Sequence, residues 1–177
     1  MRIISGTHRG RRIQAPKKLP IRPTTDMAKE GLFNILQNRL HIASLSVLDL
    51  FSGSGNISYE FASRGADDIT AIDQNMHCVQ FISKTSKTLG FSIKVVKANV
   101  FGYLKKNNLH QQFIFADPPY KLSLAEFEEL VDLTLQRATD PEVLVVIEHA
   151  EQTDLSTHPY FDEARKYGGS VFSFFKK

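Results

Sequence analysis

Residues 46–55 read Ser46-Val47-Leu48-Asp49-Leu50-Phe51-Ser52-Gly53-Ser54-Gly55, an apolar strand that runs directly into a glycine turn. A helical pattern over Ile57–Arg64 follows, so the segment is a strand–turn–helix. In an open α/β sheet, ligands bind beyond the carboxyl ends of the strands, which puts this turn at the expected crevice. Gly53 and Gly55 permit positive φ and let backbone approach a ligand where a Cβ would collide. The turn departs from the dinucleotide fingerprint, because Ser58 holds the third glycine position and Asp49 precedes the turn. A carboxylate there is unfavourable beside a pyrophosphate and favourable beside an ammonium. Asp73 closes the next strand about 20 residues on, where a carboxylate can accept both hydroxyls of a ribose. A nucleoside with a positive amine and no phosphates suits both acids, and S-adenosylmethionine is such a molecule. An NAD site and a turn without ligand are the competing readings.

Outward from this turn, strand and helix alternate. Strands are expected at 46–51, 68–73, 92–98, 112–117 and 142–149, and helices near 57–64, 76–89, 100–105 and 124–137. Such alternation implies parallel βαβ units in a doubly wound α/β sheet. The chain closes on ARKYGGSVFSFFK, a terminal hairpin around Gly168 and Gly169 whose Phe172, Phe174 and Phe175 suit strand packing. Upstream, Thr24, Thr25 and Asp26 are N-cap residue types that open a helix to about Arg39.

With 177 residues, 42% apolar and 23% charged, the chain has the balance of one globular domain. Its formal charge of +3 is an average over two unlike regions. Residues 1–25 hold Arg2, Arg9, Arg11, Arg12, Lys17, Lys18 and Arg22 and no acid, whereas the remainder carries a net −4. The expected organisation is therefore a basic arm over 1–25, a β-hairpin followed by an extended proline-bearing segment, on a domain over 26–177. An anionic partner such as nucleic acid is one reading of the arm, and a solubilising tail is the other. Cys78 alone excludes an internal disulfide and a cysteine zinc cage, and the five histidines beyond the arm lack ligand spacing, so no metal is expected. MRIISGTHRG lacks the apolar core of a signal peptide and no apolar run approaches ~18 residues, which favours the cytoplasm and no membrane.

The second motif is Asp117-Pro118-Pro119-Tyr120, at the end of the fourth strand and open to the same crevice. Two prolines make a stiff turn without backbone donors, leaving carbonyls to accept. A carboxylate beside a fixed carbonyl suits a group with two N–H donors, such as an exocyclic base amine. The Tyr120 ring offers a face for an extruded base, a contact of about 1–3 kcal/mol. Accepting both hydrogens from fixed directions favours a pyramidal nitrogen with its lone pair aimed at a methyl donor.

In this order the two motifs resemble the class I S-adenosylmethionine-dependent amino-methyltransferases. Gly6-x-x-Arg9-Gly10-Arg11, Arg22-Pro23-Thr24-Thr25-Asp26 and Glu30-x-Leu32-Phe33-Asn34 narrow the resemblance to the RsmD family, across nearly the whole chain from Ile3. That resemblance implies a Rossmann-like seven-stranded sheet with an antiparallel last strand, and methylation of a guanine N2 amine in 16S ribosomal RNA. It implies that Asp49, Phe51, Gly53, Ser54 and Gly55 line the methionine side of the cofactor, Asp73 the ribose, and Asn99 the adenine. Asp117, Pro118, Pro119 and Tyr120 would hold the target base, with Asp117 also facing the cofactor. Arg9, Arg11, Arg12, Lys17, Arg22, Thr24 and Thr25 would meet RNA. S-adenosylhomocysteine is the implied product, the small ribosomal subunit or an assembly intermediate the implied partner, and a monomer the expected state. Two alternatives stay open: a DNA methyltransferase of adenine N6 or cytosine N4, and a non-catalytic RNA-binding or assembly factor on the same fold. A protein glutamine methyltransferase fits less well, since those resemble NPPY and lack this arm.

Overall fold

The computed structural model describes residues 1–16, 19 and 24–177. Strands β1 (Ser46–Leu50), β2 (Asp68–Asp73), β3 (Ile93–Lys97), β4 (Phe113–Ala116), β5 (Leu144–Ala150), β6 (Phe161–Tyr167) and β7 (Ser170–Lys176) form one sheet in the order β3-β2-β1-β4-β5-β7-β6. β1 through β5 pair in parallel, and β7 lies antiparallel to both its neighbours. This is the doubly wound sheet expected from the alternation of elements, with the seven strands and antiparallel last strand that the Rossmann-like resemblance implies. The sheet order reverses at β1, between β2 and β4, so the carboxyl ends of β1 and β4 flank a crevice.

Both faces of the central strands are covered, which explains their nearly continuous apolar runs. Val47, Phe113, Phe115 and Val146 pack beneath α1 (Asp26–Arg39) and α2 (Asn56–Ser63), with Phe172 and Phe174 of β7 in the same cluster. Leu48, Leu50, Ile114, Ala116, Val145 and Ile147 meet α4 (Val100–Lys106) and α5 (Leu124–Arg137), with Phe175 from β7. The three terminal phenylalanines are fully buried, at about 1.5–3 kcal/mol each. α3 (Met76–Leu89) joins the arm residues Ile3 and Ile13 to Tyr59 and Ala71 through Ile82.

Helix limits follow their caps. Thr25 accepts from the Ala28 N–H at the start of α1, and Asn75 from the His77 N–H at the start of α3. α5 opens with a reciprocal capping box between Ser123 and Glu126, which fixes the chain just after the Asp117–Tyr120 turn.

The N-terminal arm doubles back on itself as the expected hairpin. Its two runs pair antiparallel about an Arg2–Arg12 bridge: the Ile13 N–H donates to the Met1 carbonyl at 3.0 Å, the Met1 amine to the Ile13 carbonyl at 3.2 Å, the Ile3 N–H to the Arg11 carbonyl at 3.0 Å and the Gly10 N–H to the Ile3 carbonyl at 2.9 Å. Beyond this pairing, the backbone N–H groups of Ile4 and Ser5 donate to the buried Glu60 carboxylate at 2.8 and 3.0 Å. Thr7 and His8 N–H groups continue this docking on Ser63 of α2. Gly6 sits so close that a Cβ would fall 1.8 Å from the Ser63 carbonyl oxygen. His8 packs edge-on against Phe91, centroids 4.6 Å apart. Among the described residues no helix is long and apolar enough to cross a membrane.

Candidate active site

The carboxyl end of β1 delivers Asp49 to a cleft of about 480 Å³. Asp49 is 2% exposed, and its Oδ2 accepts from the backbone N–H and hydroxyl of Ser58 at 3.2 and 2.5 Å. The serine that spoils the dinucleotide fingerprint is therefore the partner that orients the acid. Burial pushes the Asp49 carboxyl up to about 7, against the lowering effect of Ser58 and with a further rise from Asp73. A cation placed against it would restore its charge.

Past Asp49 the backbone turns sharply. Phe51 has φ 58°, a left-handed conformation costly for a bulky residue and concentrated at functional sites. Ser52 holds the turn to β2, its hydroxyl 2.8 Å from the Ile72 carbonyl oxygen. Gly53 then donates its N–H to Asp73 Oδ2 at 2.8 Å, while Asp73 Oδ1 accepts from Asn75 N–H at 2.7 Å. Both oxygens of Asp73 are thereby fixed at the rim of the cleft.

The opposite wall begins where β4 ends. Asp117, Pro118, Pro119 and Tyr120 all line the cleft, and Tyr120 is 37% exposed. The Pro119 carbonyl accepts from Leu122 N–H at 3.1 Å and closes the turn. The expectation of free proline carbonyls therefore narrows to that of Pro118.

Thr24 and Thr25 also line the cleft, from the chain entering α1. Thr24 donates its hydroxyl to Glu148 Oε2 at 2.8 Å, and its carbonyl accepts from Asn56 Nδ2 at 3.3 Å. The Gly168–Gly169 turn between β6 and β7 completes the far side, beside Met27, which is 59% exposed.

Asp49, Phe51, Gly53, Ser54, Asp73, Asp117, Pro118, Pro119, Tyr120, Thr24 and Thr25 thus meet around one cleft. Gly55 and Asn99 do not line it. Gly55 (φ 79°) is needed for packing, since a Cβ would fall 2.8 Å from the Tyr59 ring. Asn99 caps α4 through Gly102 N–H and reaches Gln74. Arg9, Arg11 and Arg12 are exposed on the arm, away from the cleft lining. Lys17 and Arg22 lie outside the described residues. Sequence reading overlooks Asn56 and the Gly168–Gly169 turn as cleft residues, and leaves Glu148, at the end of the fifth strand, between a cleft position and a structural role, favouring the latter. The available signal is position: an acid at the carboxyl end of β5, next to β4.

Beneath the cleft, Lys29 and Glu60 form a fully buried ion pair at 3.4 Å. Lys29 also donates to the Arg2 carbonyl at 2.5 Å and to Asn56 Oδ1 at 2.8 Å, and Glu60 binds Arg64 at 2.8 Å. Desolvation draws the Lys29 ammonium below its ordinary range, opposed chiefly by Glu60. This node joins the arm backbone to the helix that carries the cleft residue Asn56.

The family model described as "Conserved hypothetical protein 95" matches residues 1–176. Ribosomal RNA small subunit methyltransferase D of Escherichia coli K12 is 33% identical over 161 residues, covering 90% of this chain and 79% of that protein. The Haemophilus influenzae protein of the same name is 32% identical over 162 residues, covering 89% and 82%. The solved structure of the Escherichia coli protein yhhF superposes with a TM-score of 0.84 at 28% identity, covering 100% of this chain and 97% of that one. A Thermus thermophilus 16S rRNA N2 methyltransferase (RsmC), solved with AdoMet and guanosine, shares the fold at a TM-score of 0.71 and 19% identity, covering 87% and 44%.

Proposed function

The chain belongs to this family, the RsmD family of ribosomal RNA methyltransferases, and from that premise we propose that it transfers a methyl group from S-adenosylmethionine to the N2 amine of a guanine in 16S ribosomal RNA. One observation carries the proposal. A single cleft holds a buried acid needing a cation, an acid whose two oxygens are fixed at the rim, and an Asp-Pro-Pro-Tyr turn facing them. The donor set fits the cofactor: Asp49 for the ammonium, Asp73 for the ribose hydroxyls, and Gly53 and Ser54 along the turn. Bound there, S-adenosylmethionine supplies an electrophilic methyl carbon on a sulfonium and leaves as S-adenosylhomocysteine.

The chain's own residues do the rest. Asp117 and the Pro118 carbonyl accept the two amine hydrogens, which directs the nitrogen lone pair away from them and stabilises positive charge as it develops. Tyr120 gives the extruded base a face to stack on. After transfer the nitrogen sheds one proton, and Asp117 is the nearest acceptor in this scheme. No metal has a role.

Domain organisation is part of the same proposal: residues 1–25 grip RNA phosphates and 26–177 perform the transfer. Exposed Arg9, Arg11 and Arg12 support this, as do the arm's seven positive charges without an acid. Reversing these three charges to Glu should weaken binding to 16S RNA and reduce the slope of log affinity against log salt by about one per lost phosphate contact. Cofactor affinity should stay unchanged. Filter binding across a salt series checks this, and unaltered RNA affinity would make the arm a tail.

Cofactor affinity should depend on pH through Asp49. Its raised folded value means the acid is protonated below about 7 in the free protein, where it attracts no ammonium. The same shift makes burial of the charged form unfavourable, so the free protein loses stability as pH rises from the ordinary carboxyl range through about 7. Calorimetric titration with S-adenosylmethionine between about pH 5.5 and 7.5 should show affinity rising toward the upper end, approaching tenfold per pH unit well below 7. Asp49→Asn should flatten that profile and weaken binding. The titration also separates the readings, because a non-catalytic assembly factor would bind no cofactor and incorporate no methyl into 16S RNA or small subunits.

A further inference from the structure

We infer that Glu148 accepts the ring N1–H beside the reacting amine, making it the residue by which this site selects guanine over adenine and cytosine. The inference rests on the proposed placement of an amine at Asp117 and Pro118. Glu148 is 2% exposed, yet it lines the cleft. β4 and β5 run parallel with Phe115 opposite Val146 and Ala116 opposite Ile147. One further step of that register sets Asp117 opposite Glu148, on strands about 4.8 Å apart. The two acids therefore stand side by side at one end of the sheet.

Base chemistry gives that pairing a meaning. In guanine the atom next to the amine-bearing carbon is N1–H, a second donor pointing off the same edge. In adenine the corresponding neighbour is N1 with a lone pair, and in cytosine N3 with a lone pair. Two adjacent carboxylates match guanine's two donors. For the other bases, the second carboxylate faces a lone pair and repels it. Asp-Pro-Pro-Tyr alone makes no such distinction, because it addresses only the amine.

The acid is also held in place for this task. Thr24 donates to Oε2 at 2.8 Å. Thr24 is held by Asn56 through its carbonyl at 3.3 Å, and Asn56 accepts from the buried Lys29 at 2.8 Å. A carboxylate offers about four lone-pair sites, so the Thr24 bond is compatible with accepting from a base.

The test compares guanosine with 2-aminopurine riboside at the methylated position of a synthetic RNA fragment. 2-Aminopurine keeps the amine and replaces N1–H by a lone pair. The wild-type protein should favour guanine by at least about tenfold in kcat/KM. Glu148→Gln should lower kcat/KM on guanine by roughly tenfold to a hundredfold and close most of the gap to 2-aminopurine, because its amide can donate to the lone pair. Cofactor affinity and melting temperature should match wild type. Should Gln disturb the fold, Glu148→Asp keeps the charge one methylene short and should lower the guanine rate in the same direction. Methylation of guanine with a base ratio that neither variant moves would overturn this role of Glu148 alone. A wild-type protein that methylates adenine or cytosine, and not guanine, would overturn the guanine reading and this role with it.

Discussion

Replacing Asp117 by Ala should abolish methyl transfer, by at least about a hundredfold, while binding of S-adenosylmethionine survives. The two effects separate because of where the acid stands. Asp117 follows β4 on the wall opposite Asp73, whose contacts are to the Gly53 and Asn75 N–H groups. An aryl amine is a weak nucleophile, its lone pair delocalised into the ring. Without a fixed acceptor for its hydrogens the nitrogen stays planar, and no preorganised charge meets the cation forming on it. Truncation to Ala should leave β4 intact, since Phe113 through Ala116 are themselves buried in the core. Single-turnover transfer from labelled cofactor, paired with a cofactor titration, gives the comparison. Retained turnover would remove Asp117 from the chemistry, and lost cofactor binding would place it in the cofactor subsite instead.

The second large effect concerns stability. Glu60→Leu should cost about 3–5 kcal/mol and lower Tm on the order of 10 °C. It leaves the Lys29 ammonium buried without its acid and removes the acceptor for the Ile4 and Ser5 N–H groups. Lys29→Met should cost less, because Glu60 keeps Arg64 and both arm N–H groups. The double variant Lys29→Met/Glu60→Leu should recover part of the loss, since the buried ammonium is gone and Arg64 alone is left without its acid. With the arm released, limited proteolysis should cut within residues 1–16 well before the remaining domain unfolds. Thermal melts of the three variants with a digestion time course read both effects. Equal stabilities for wild type and Glu60→Leu would mean that Glu60 does not hold the arm, leaving its apolar contacts through Ile3 and Ile13 and its bonds to Ser63.

Much of the fold is legible locally. α1, α3 and α5 begin and end at the expected residues because caps at Thr25, Asn75 and Ser123 mark their starts. β1 and the Gly53 turn are legible because an apolar run between glycine and acid residues has few other uses. The hairpin of the arm is legible too, but not its docking: the Ile4 and Ser5 N–H groups go to a side chain more than fifty positions away. Glu148 is legible by its place at the end of the fifth strand, but not by its role. Its partner Thr24 is 124 residues distant, and nothing local distinguishes a cleft acid from a strand-end acid. Gly55 and Asn99 show the reverse case, in which a motif position serves packing or capping while its neighbours line the cleft.

The central claim is the identity of the methylated atom. The protein, labelled S-adenosylmethionine and either naked 16S RNA or small subunits from a strain lacking this enzyme should be incubated, and the RNA digested to nucleosides for mass spectrometry. The label should appear in N2-methylguanosine at a single position. Label in N6-methyladenosine or N4-methylcytidine, or none in either RNA despite bound cofactor, would contradict it.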